Sequence, residues 1–178
     1  MKAIFKRGFT LIELLAVIAI IGVLVSIISV SVNASKQKGR DARRVADIAS
    51  LRVALQTYYN DNSVYPDCIY NSDASCVANS FEGTYMSKTP LDPGTGNKYS
   101  YTASKTGSAG APCNFYHLGA IMEDSTNREL TQDVDLANAN SNNNACTTNK
   151  GVAKYDGNAT NCSGSSAAAT DLCYDQTP

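Results

Sequence analysis

The chain has 178 residues, of which 43% are hydrophobic and 17% are charged, and its formal net charge is -1. This length allows one domain of ordinary size beside a membrane segment. Three cations, Lys2, Lys6 and Arg7, precede the first apolar segment, and without them 12 Lys and Arg stand against 16 Asp and Glu, which leaves -4. A mildly acidic balance of this kind argues against a general nucleic-acid-binding protein.

An apolar segment of 24 residues runs from Phe9 to Val32 and contains one charged residue, Glu13. As a helix, it would reach roughly 36 Å and cross a hydrocarbon core of about 30 Å, so it predicts a membrane-spanning helix. An ionised carboxylate costs about 2.5 to 3.5 kcal/mol at the bilayer centre and less near an end. Glu13 therefore needs either access to the headgroups or a partner.

A short basic leader, residues 1–8, precedes this segment, and the junction reads Gly-Phe-Thr-Leu-Ile-Glu. The leader, the boundary Gly8, the following Phe9 and the position of Glu13 resemble the processing site of type IV prepilins and type II secretion pseudopilins. The resemblance implies that a membrane peptidase cuts after Gly8 and that the new amino terminus, Phe9, is N-methylated. It also implies that Glu13 of an incoming subunit neutralises the Phe9 amine of its neighbour inside an apolar filament core, where an isolated ion would be costly.

Two other interpretations of the N-terminus account for less of the sequence. A secretory signal has an apolar region of about 7 to 15 residues and a small-residue cleavage site, for which Val32-Asn33-Ala34 is available. The segment is longer than that and contains Glu13. A plain single-pass anchor explains the length but gives no role to the Lys-Arg-Gly-Phe junction.

Basic residues also follow the apolar segment closely: Lys36, Lys38, Arg40, Arg43 and Arg44. We interpret them as a solvated collar facing lipid headgroups rather than as a DNA-binding patch. Because basic residues lie on both sides of the segment, charge alone does not orient the chain.

Beyond the collar, apolar residues recur at steps of three or four: Val45, Ile48, Leu51, Leu55 and Tyr58. This period predicts that the helix continues with one face against a core. The opposite face is predicted to carry the charged residues Arg40, Arg43, Arg44, Asp47 and Arg52. We expect the helix to end near residues 59–61, because turn-forming residues follow and Pro66 prevents continuation.

In the remainder of the chain, the alternating Tyr99 and Tyr101 predict a strand over 98–102, and a second strand is predicted over 114–122. The Gly/Ser-rich residues between them predict an antiparallel hairpin. A third strand is expected at 152–155 or at 172–174. The predicted fold class is α+β, with a long N-terminal helix, membrane-spanning in its first half and amphipathic in its second, packed on a small antiparallel sheet with long disulfide-linked loops.

The predicted organisation has four parts. A leader peptide occupies residues 1–8, a transmembrane and filament-core helix 9–32, an amphipathic continuation of the helix 33–61, and a globular head 62–178.

Every cysteine lies after the apolar segment: Cys68, Cys76, Cys113, Cys146, Cys162 and Cys173. An even number in an Asn-, Ser- and Thr-rich region favours disulfides in an oxidising compartment, and hence an exported head. A zinc site would need a spacing such as Cys-x-x-Cys, which is absent from the sequence. The pairing is open from the sequence. Local closure favours Cys68 with Cys76 and Cys162 with Cys173, which leaves Cys113 for Cys146.

Few residues suggest further chemistry. His117 is interpreted as a structural histidine, because no nucleophile partner is evident. The acidic residues Glu123, Asp124, Asp133 and Asp135 are interpreted as a solvated loop, since their spacing matches no EF-hand. Some major pseudopilins bind calcium in head loops, so Asp124, Asp133 and Asp135 are candidate calcium ligands, and no other cofactor is expected.

The sequence therefore predicts a structural subunit and not an enzyme. The subunit would be inserted in the cytoplasmic membrane with its head exported, cut after Gly8, and polymerised through its N-terminal helix into a periplasmic or extracellular filament. Its expected partners are identical or related subunits, the prepilin peptidase, an inner-membrane assembly platform and membrane lipid, with no nucleic acid.

The type of filament is open between two interpretations. A type IV pilus-like filament is the first, because a large head with six cysteines suits surface display. A type II secretion pseudopilus is the alternative, favoured by the pattern from Pro90 to Tyr101 and by the absence of a proline that many pilins have in the helix. A membrane-tethered binding module that does not polymerise is a third interpretation.

Overall fold

The computed structural model describes residues 8–71, 81–105, 112–133, 162 and 172–178, and of residues 27–31 the backbone only. Contacts divide the chain into two units, Met1–Gln37 and Lys38–Pro178. Helix α1 (Leu11–Asn62) begins in the first unit and ends in the second. The predicted boundaries of the four parts stay a prediction.

In the first unit, α1 continues without a break through Gly22, where a weak point was expected on the grounds of helix propensity. Among the residues that the structure describes, no helix is both long and apolar enough to cross a membrane. The membrane-spanning character of residues 9–32 therefore stays a prediction.

In the second unit, α1 contributes the predicted apolar stripe to the core. Ile48, Leu51 and Leu55 are fully buried, and Val45 and Tyr58 pack against the core while partly buried. The period of three and four residues is therefore confirmed as the face on which the head is built.

Helix α1 ends at Asn62, one residue beyond the expected range. The next residue, Ser63, has a φ of 58°, and its N–H donates to the Tyr59 carbonyl at 2.7 Å. A left-handed residue that donates back to the last turn is a common way to end a helix.

Three antiparallel strands form the sheet in the order β1-β2-β3: β1 (Ser100–Ser104), β2 (Phe115–Ile121) and β3 (Cys173–Gln176). The predicted hairpin of β1 and β2 is confirmed. Strand β1 starts two residues later than expected, because Lys98 pairs instead with Leu91 in an isolated bridge. Strand β3 confirms the 172–174 alternative, while residues 152–155 lie outside the described part of the chain.

One face of the sheet packs on α1 through a core rich in tyrosine. The rings of Tyr65 and Tyr116 meet edge to face with centroids 4.7 Å apart, a favourable geometry for aromatic pairs. Two short elements flank this core, a single helical turn α2 (Phe81–Thr84) and a 3-10 helix (Arg128–Thr131). The α+β class with a long helix on a small antiparallel sheet is confirmed.

Disulfides are present as predicted in the part of the head that can be described. Cys162 bonds to Cys173, which confirms that predicted pair. Cys68 and Cys113 are each disulfide-bonded as well. Their predicted partners, Cys76 and Cys146, lie outside the described residues.

Candidate functional site

The junction predicted to be cleaved lies just outside the first helix. Gly8, Phe9 and Thr10 have no regular secondary structure, and α1 begins at Leu11. No atom lies within 4 Å of the point where a Cβ on Gly8 would stand, and Phe9 is 84% exposed. A peptidase could therefore bind the Gly8–Phe9 bond without first opening helical hydrogen bonds.

Glu13 is part of a capping arrangement at the start of α1. Its carboxylate accepts the Thr10 N–H at 2.9 Å and the Thr10 hydroxyl at 2.7 Å, while its own N–H donates to Thr10 Oγ1 at 3.4 Å. This reciprocal pattern is a capping box, which satisfies backbone groups that a helix start leaves without partners.

Thr10 is a functional candidate that the sequence reasoning missed. The pattern Thr-x-x-Glu directly before an apolar run would have identified it. Glu13 therefore has a partner within its own chain, in addition to the partner in a neighbouring subunit that the resemblance implies.

The helix that follows the junction presents an uninterrupted apolar surface. Every large apolar side chain from residue 9 to residue 25 is exposed: Phe9, Leu11, Ile12, Leu14, Leu15, Val17, Ile18, Ile20, Ile21, Val23, Leu24 and Val25. An exposed apolar surface of this extent marks a site that contacts either a membrane or other protein chains.

In the second unit, five charged residues form what we call the ionic cluster: Arg40, Asp41, Arg44, Asp92 and Glu123. Its centre is Arg44, whose side chain is 2% exposed, beside Asp41, which is 0% exposed. The prediction that Arg44 lies on the solvent face of α1 is therefore wrong. Arg44 falls four residues before Ile48, on the buried stripe, and it is tolerated there because carboxylates surround it.

The Arg44 guanidinium joins three parts of the head. It donates to both carboxylate oxygens of Asp92, at 3.0 Å for Nη2 and Oδ1, and to Asp41 one turn earlier on α1. Its Nη2 also lies 2.8 Å from Glu123 Oε1. The planar fork of arginine suits such multiple carboxylate contacts.

Arg40 and Asp41 extend the cluster to the segment after β2. Arg40 Nε donates to Glu123 Oε1 at 2.7 Å, and its Nη2 contacts the other oxygen of the same carboxylate. Asp41 accepts the backbone N–H of Glu123 at 3.0 Å and of Asp124 at 2.9 Å. The interpretations of a solvated basic collar and a solvated acidic loop are thus wrong for Arg40, Arg44 and Glu123, because these residues neutralise one another.

The environment of the ionic cluster keeps its carboxylates charged. Hydrogen bonds from Arg40, against the opposing effect of burial, lower the pKa of Glu123 to about 2. Burial alone would raise the pKa of Asp92, but hydrogen bonds from Arg44 and from the backbone of Thr95 and Gly94 hold it well below its usual range.

The loop after Asp92 is shaped by the same carboxylate. Asp92 Oδ1 accepts the N–H of Gly94 at 2.9 Å and of Thr95 at 2.7 Å. A Cβ on Gly94 would stand 3.0 Å from Arg44 Nη2 and 3.0 Å from Glu123 Oε1. Glycine at this position therefore lets the loop approach the charged groups closely.

The candidate calcium residues are not gathered into a site within the described residues. No group of three or more His, Cys, Asp or Glu side chains there is arranged to hold a metal ion. The Asp124 carboxylate accepts the Thr126 N–H at 2.9 Å and hydroxyl at 2.6 Å, and Asp135 lies outside the described residues. Calcium binding stays a prediction.

His117 lies on β2 as predicted and is 1% exposed. Burial lowers its pKa from 6.5 to about 4, so the imidazole is neutral at physiological pH. Its ring meets that of Phe115 edge to face, at 5.1 Å between centroids. These observations fit the structural role that the sequence suggested.

Comparisons with known proteins divide the chain at the first helix. Residues 5–29 match the family model of the prokaryotic N-terminal methylation motif, and residues 31–138 match that of type II secretion system (T2SS), protein G. The second match covers more than half of the chain and ends before Cys146, Cys162 and Cys173.

Similar proteins from three organisms all carry the name type II secretion system core protein G. The protein from Vibrio cholerae serotype O1 is 37% identical over 109 residues, which is 57% of this chain and 74% of the relative. The Escherichia coli K12 protein is 35% identical over 102 residues, covering 53% and 70%. The Pseudomonas aeruginosa protein is 31% identical over 141 residues, covering 75% and 94%.

No solved structure is significantly similar to the chain. The protein G match and the coverage of the relatives nevertheless agree with the α1 and sheet architecture and with the N-terminal junction. The chain therefore belongs to the type II secretion system protein G family.

Proposed function

We propose that the chain is a structural pseudopilin that polymerises into the filament of a type II secretion system. The observation that carries this proposal is the match of residues 31–138 to protein G directly after a methylation motif over residues 5–29. The exposed apolar surface of α1 supports it, because a filament core offers such a surface both burial and partners of the same kind.

The comparisons reverse the order of the two filament types. The sequence alone placed a pilus-like filament first, and the relatives' names favour the secretion pseudopilus. A surface pilus remains a second candidate for one reason: residues 139–178, which hold three of the six cysteines, lie beyond the protein G match.

The proposed course of events begins in the cytoplasmic membrane. A prepilin peptidase hydrolyses the Gly8–Phe9 bond and leaves an amine on Phe9, which is then methylated. An inner-membrane assembly platform moves the subunit from the lipid into a periplasmic filament of identical or related subunits. No step requires this chain to act as an enzyme.

Glu13 has two roles to separate in this proposal. The capping box uses its carboxylate oxygen as an acceptor for Thr10, and the inter-subunit pair uses its negative charge for the Phe9 amine of a neighbour. Glutamine serves the capping role as well as glutamate does, but carries no charge. Glu13→Gln therefore keeps the cap and removes the proposed ion pair.

The experiment compares filament formation by three variants in cells that lack the wild-type gene. Glu13→Gln and Glu13→Ala should both be cleaved and both fail to assemble, and Thr10→Ala, which keeps the charge, should retain more assembly than either. Normal filaments from Glu13→Gln would assign Glu13 to the cap and contradict the ion pair.

The same strain decides between the two filament types. Loss of the gene should leave secreted enzymes in the periplasm, and wild-type expression should restore their release. Undiminished secretion together with lost surface filaments would replace the pseudopilus with the pilus. Undiminished secretion without any filaments in the wild type would favour a binding module that does not polymerise.

A further inference from the structure

The disulfide between Cys162 and Cys173 lies at the start of the last strand. Cys173 is the first residue of β3 and pairs in register with Ile121 of β2. Cys162 is 1% exposed and Cys173 is 0% exposed. The two form a buried apolar cluster of their own, separate from the main core. The enclosure of this disulfide is thus local to β3.

Strand β3 is short and joins the sheet from far along the chain. It has four residues, and its partner strand β2 ends at Ile121. Beyond the strand pairing, its attachments to the described residues include the Met122 N–H to Leu172 carbonyl bond of 2.8 Å and an exposed bond from Arg52 to Gln176, also 2.8 Å. A strand this short gains little by pairing, and closing a long loop opposes it. The disulfide, with a sequence separation of 11, restricts the open chain and so favours docking.

Burial of both sulfurs limits when this bond can form or break. Thiol–disulfide exchange requires a thiolate to reach a sulfur atom directly. A bond between residues that are 0% and 1% exposed gives no such access while β3 is docked. Exchange therefore requires a state in which β3 has left the sheet.

We propose that the Cys162–Cys173 disulfide is a one-way lock on β3, formed by oxidation while the strand is open and shielded once the strand docks. One cysteine thiolate attacks the disulfide of an oxidised dithiol protein and forms a mixed disulfide. The second cysteine thiolate then displaces that protein, which leaves as a dithiol with the two electrons and the two protons of the cysteines. The lock does not depend on which filament the subunit forms.

The lock predicts an unusual response to reductant in the full-length mature chain in detergent. With increasing dithiothreitol, the rate of reduction of Cys162–Cys173 should rise and then reach a plateau, because opening of β3 becomes rate-limiting. In a denaturing concentration of urea the rate should instead remain proportional to dithiothreitol. Thiol labelling at successive times, followed by mass spectrometry of the peptides, measures this bond separately from the other cysteines.

Two tyrosine variants identify which part of the head opens. Tyr174 on β3 is 7% exposed, and Tyr174→Ala should raise the plateau at least tenfold by weakening the docked strand. Tyr85→Ala removes a tyrosine that packs near Phe81, away from β3, and should leave the plateau within twofold of wild type.

Two results would overturn the proposal. A rate that stays proportional to dithiothreitol in the folded protein would mean that reagent reaches the bond while β3 is docked. Equal acceleration by both tyrosine variants would mean that the whole head must unfold, so that no separate opening of β3 exists. Because the readout is the rate of reduction, a variant that binds detergent or assembles poorly still gives an answer.

Discussion

Arg44, on the buried face of α1, donates to both carboxylate oxygens of Asp92, which lies 48 residues later in the chain. This contact ties the loop before β1 to the helix, and Glu123 adds the segment after β2. A buried charge is stable only while its partners are present, so the head depends on this one guanidinium more than on any exposed pair.

Replacing Arg44 should therefore destabilise the head strongly. Arg44→Leu would leave the carboxylates of Asp41 and Asp92 buried without their cation, and we expect a loss of about 3 to 5 kcal/mol in the free energy of unfolding. Arg43→Ala is the control, because that side chain is 69% exposed and its contact with Asp47 is 3.5 Å long. It should cost at most about 1 kcal/mol. Denaturant titration measures both, and equal losses would contradict the central role of Arg44.

Two glycines should respond to alanine in opposite directions. Gly94→Ala would place a Cβ 3.0 Å from Arg44 Nη2 and from Glu123 Oε1, so we expect a loss of about 1 to 3 kcal/mol. Gly39 lies in α1 with no atom within 4 Å of its Cβ position, so Gly39→Ala should add up to about 1 kcal/mol. Thermal unfolding of the two variants tests the pair, and a stabilising Gly94→Ala would show that the loop does not approach the ionic cluster closely.

The end of α1 offers a stabilising substitution. Ser63 has a φ of 58°, in the left-handed region that non-glycine residues adopt at a cost of about 1 to 2 kcal/mol. Ser63→Gly should raise the free energy of unfolding by roughly 0.5 to 1 kcal/mol, and Ser63→Val should lower it. A comparison of the two melting temperatures with that of wild type checks the sign. A lower melting temperature for Ser63→Gly would refute the left-handed cap.

The buried histidine should make stability depend on pH in a defined window. Burial lowers the pKa of His117 from 6.5 to about 4, so between these values the unfolded chain binds a proton that the folded chain does not. Stability is then full above pH 6.5 and falls as the pH drops towards 4, by about 2 kcal/mol between pH 7 and pH 5. His117 is the one histidine of the sequence, and carboxylates titrate mainly below this window. The dependence should disappear in His117→Gln, and its persistence in that variant would exclude His117 as its source.

Local patterns predicted the parts of the fold that repeat along the chain. The three-and-four period gave the buried stripe of Ile48, Leu51 and Leu55, and the alternating tyrosines indicated the β1–β2 hairpin. The local rule for cysteines found Cys162 with Cys173, because a short separation favours closure.

The ionic cluster was missed because its members are distant in sequence. Arg44 was assigned to the solvent face by its charge, although its spacing from Ile48 and Leu51 places it on the buried stripe. The position alone raises the question of a partner, but Asp92 and Glu123 become identifiable only when the loop and the hairpin fold against α1. Thr10, by contrast, was detectable from sequence, since a Thr-x-x-Glu pattern marks a helix start.

The proposed function begins with one covalent event, the cleavage between Gly8 and Phe9. The most direct test is a mass spectrum of the N-terminal peptide of this protein, isolated from membranes and from assembled filaments of the native host. The expected peptide begins at Phe9 and carries one methyl group on its amine. A chain in the filaments that still carries residues 1–8 would contradict processing and, with it, the pseudopilin function proposed for this protein.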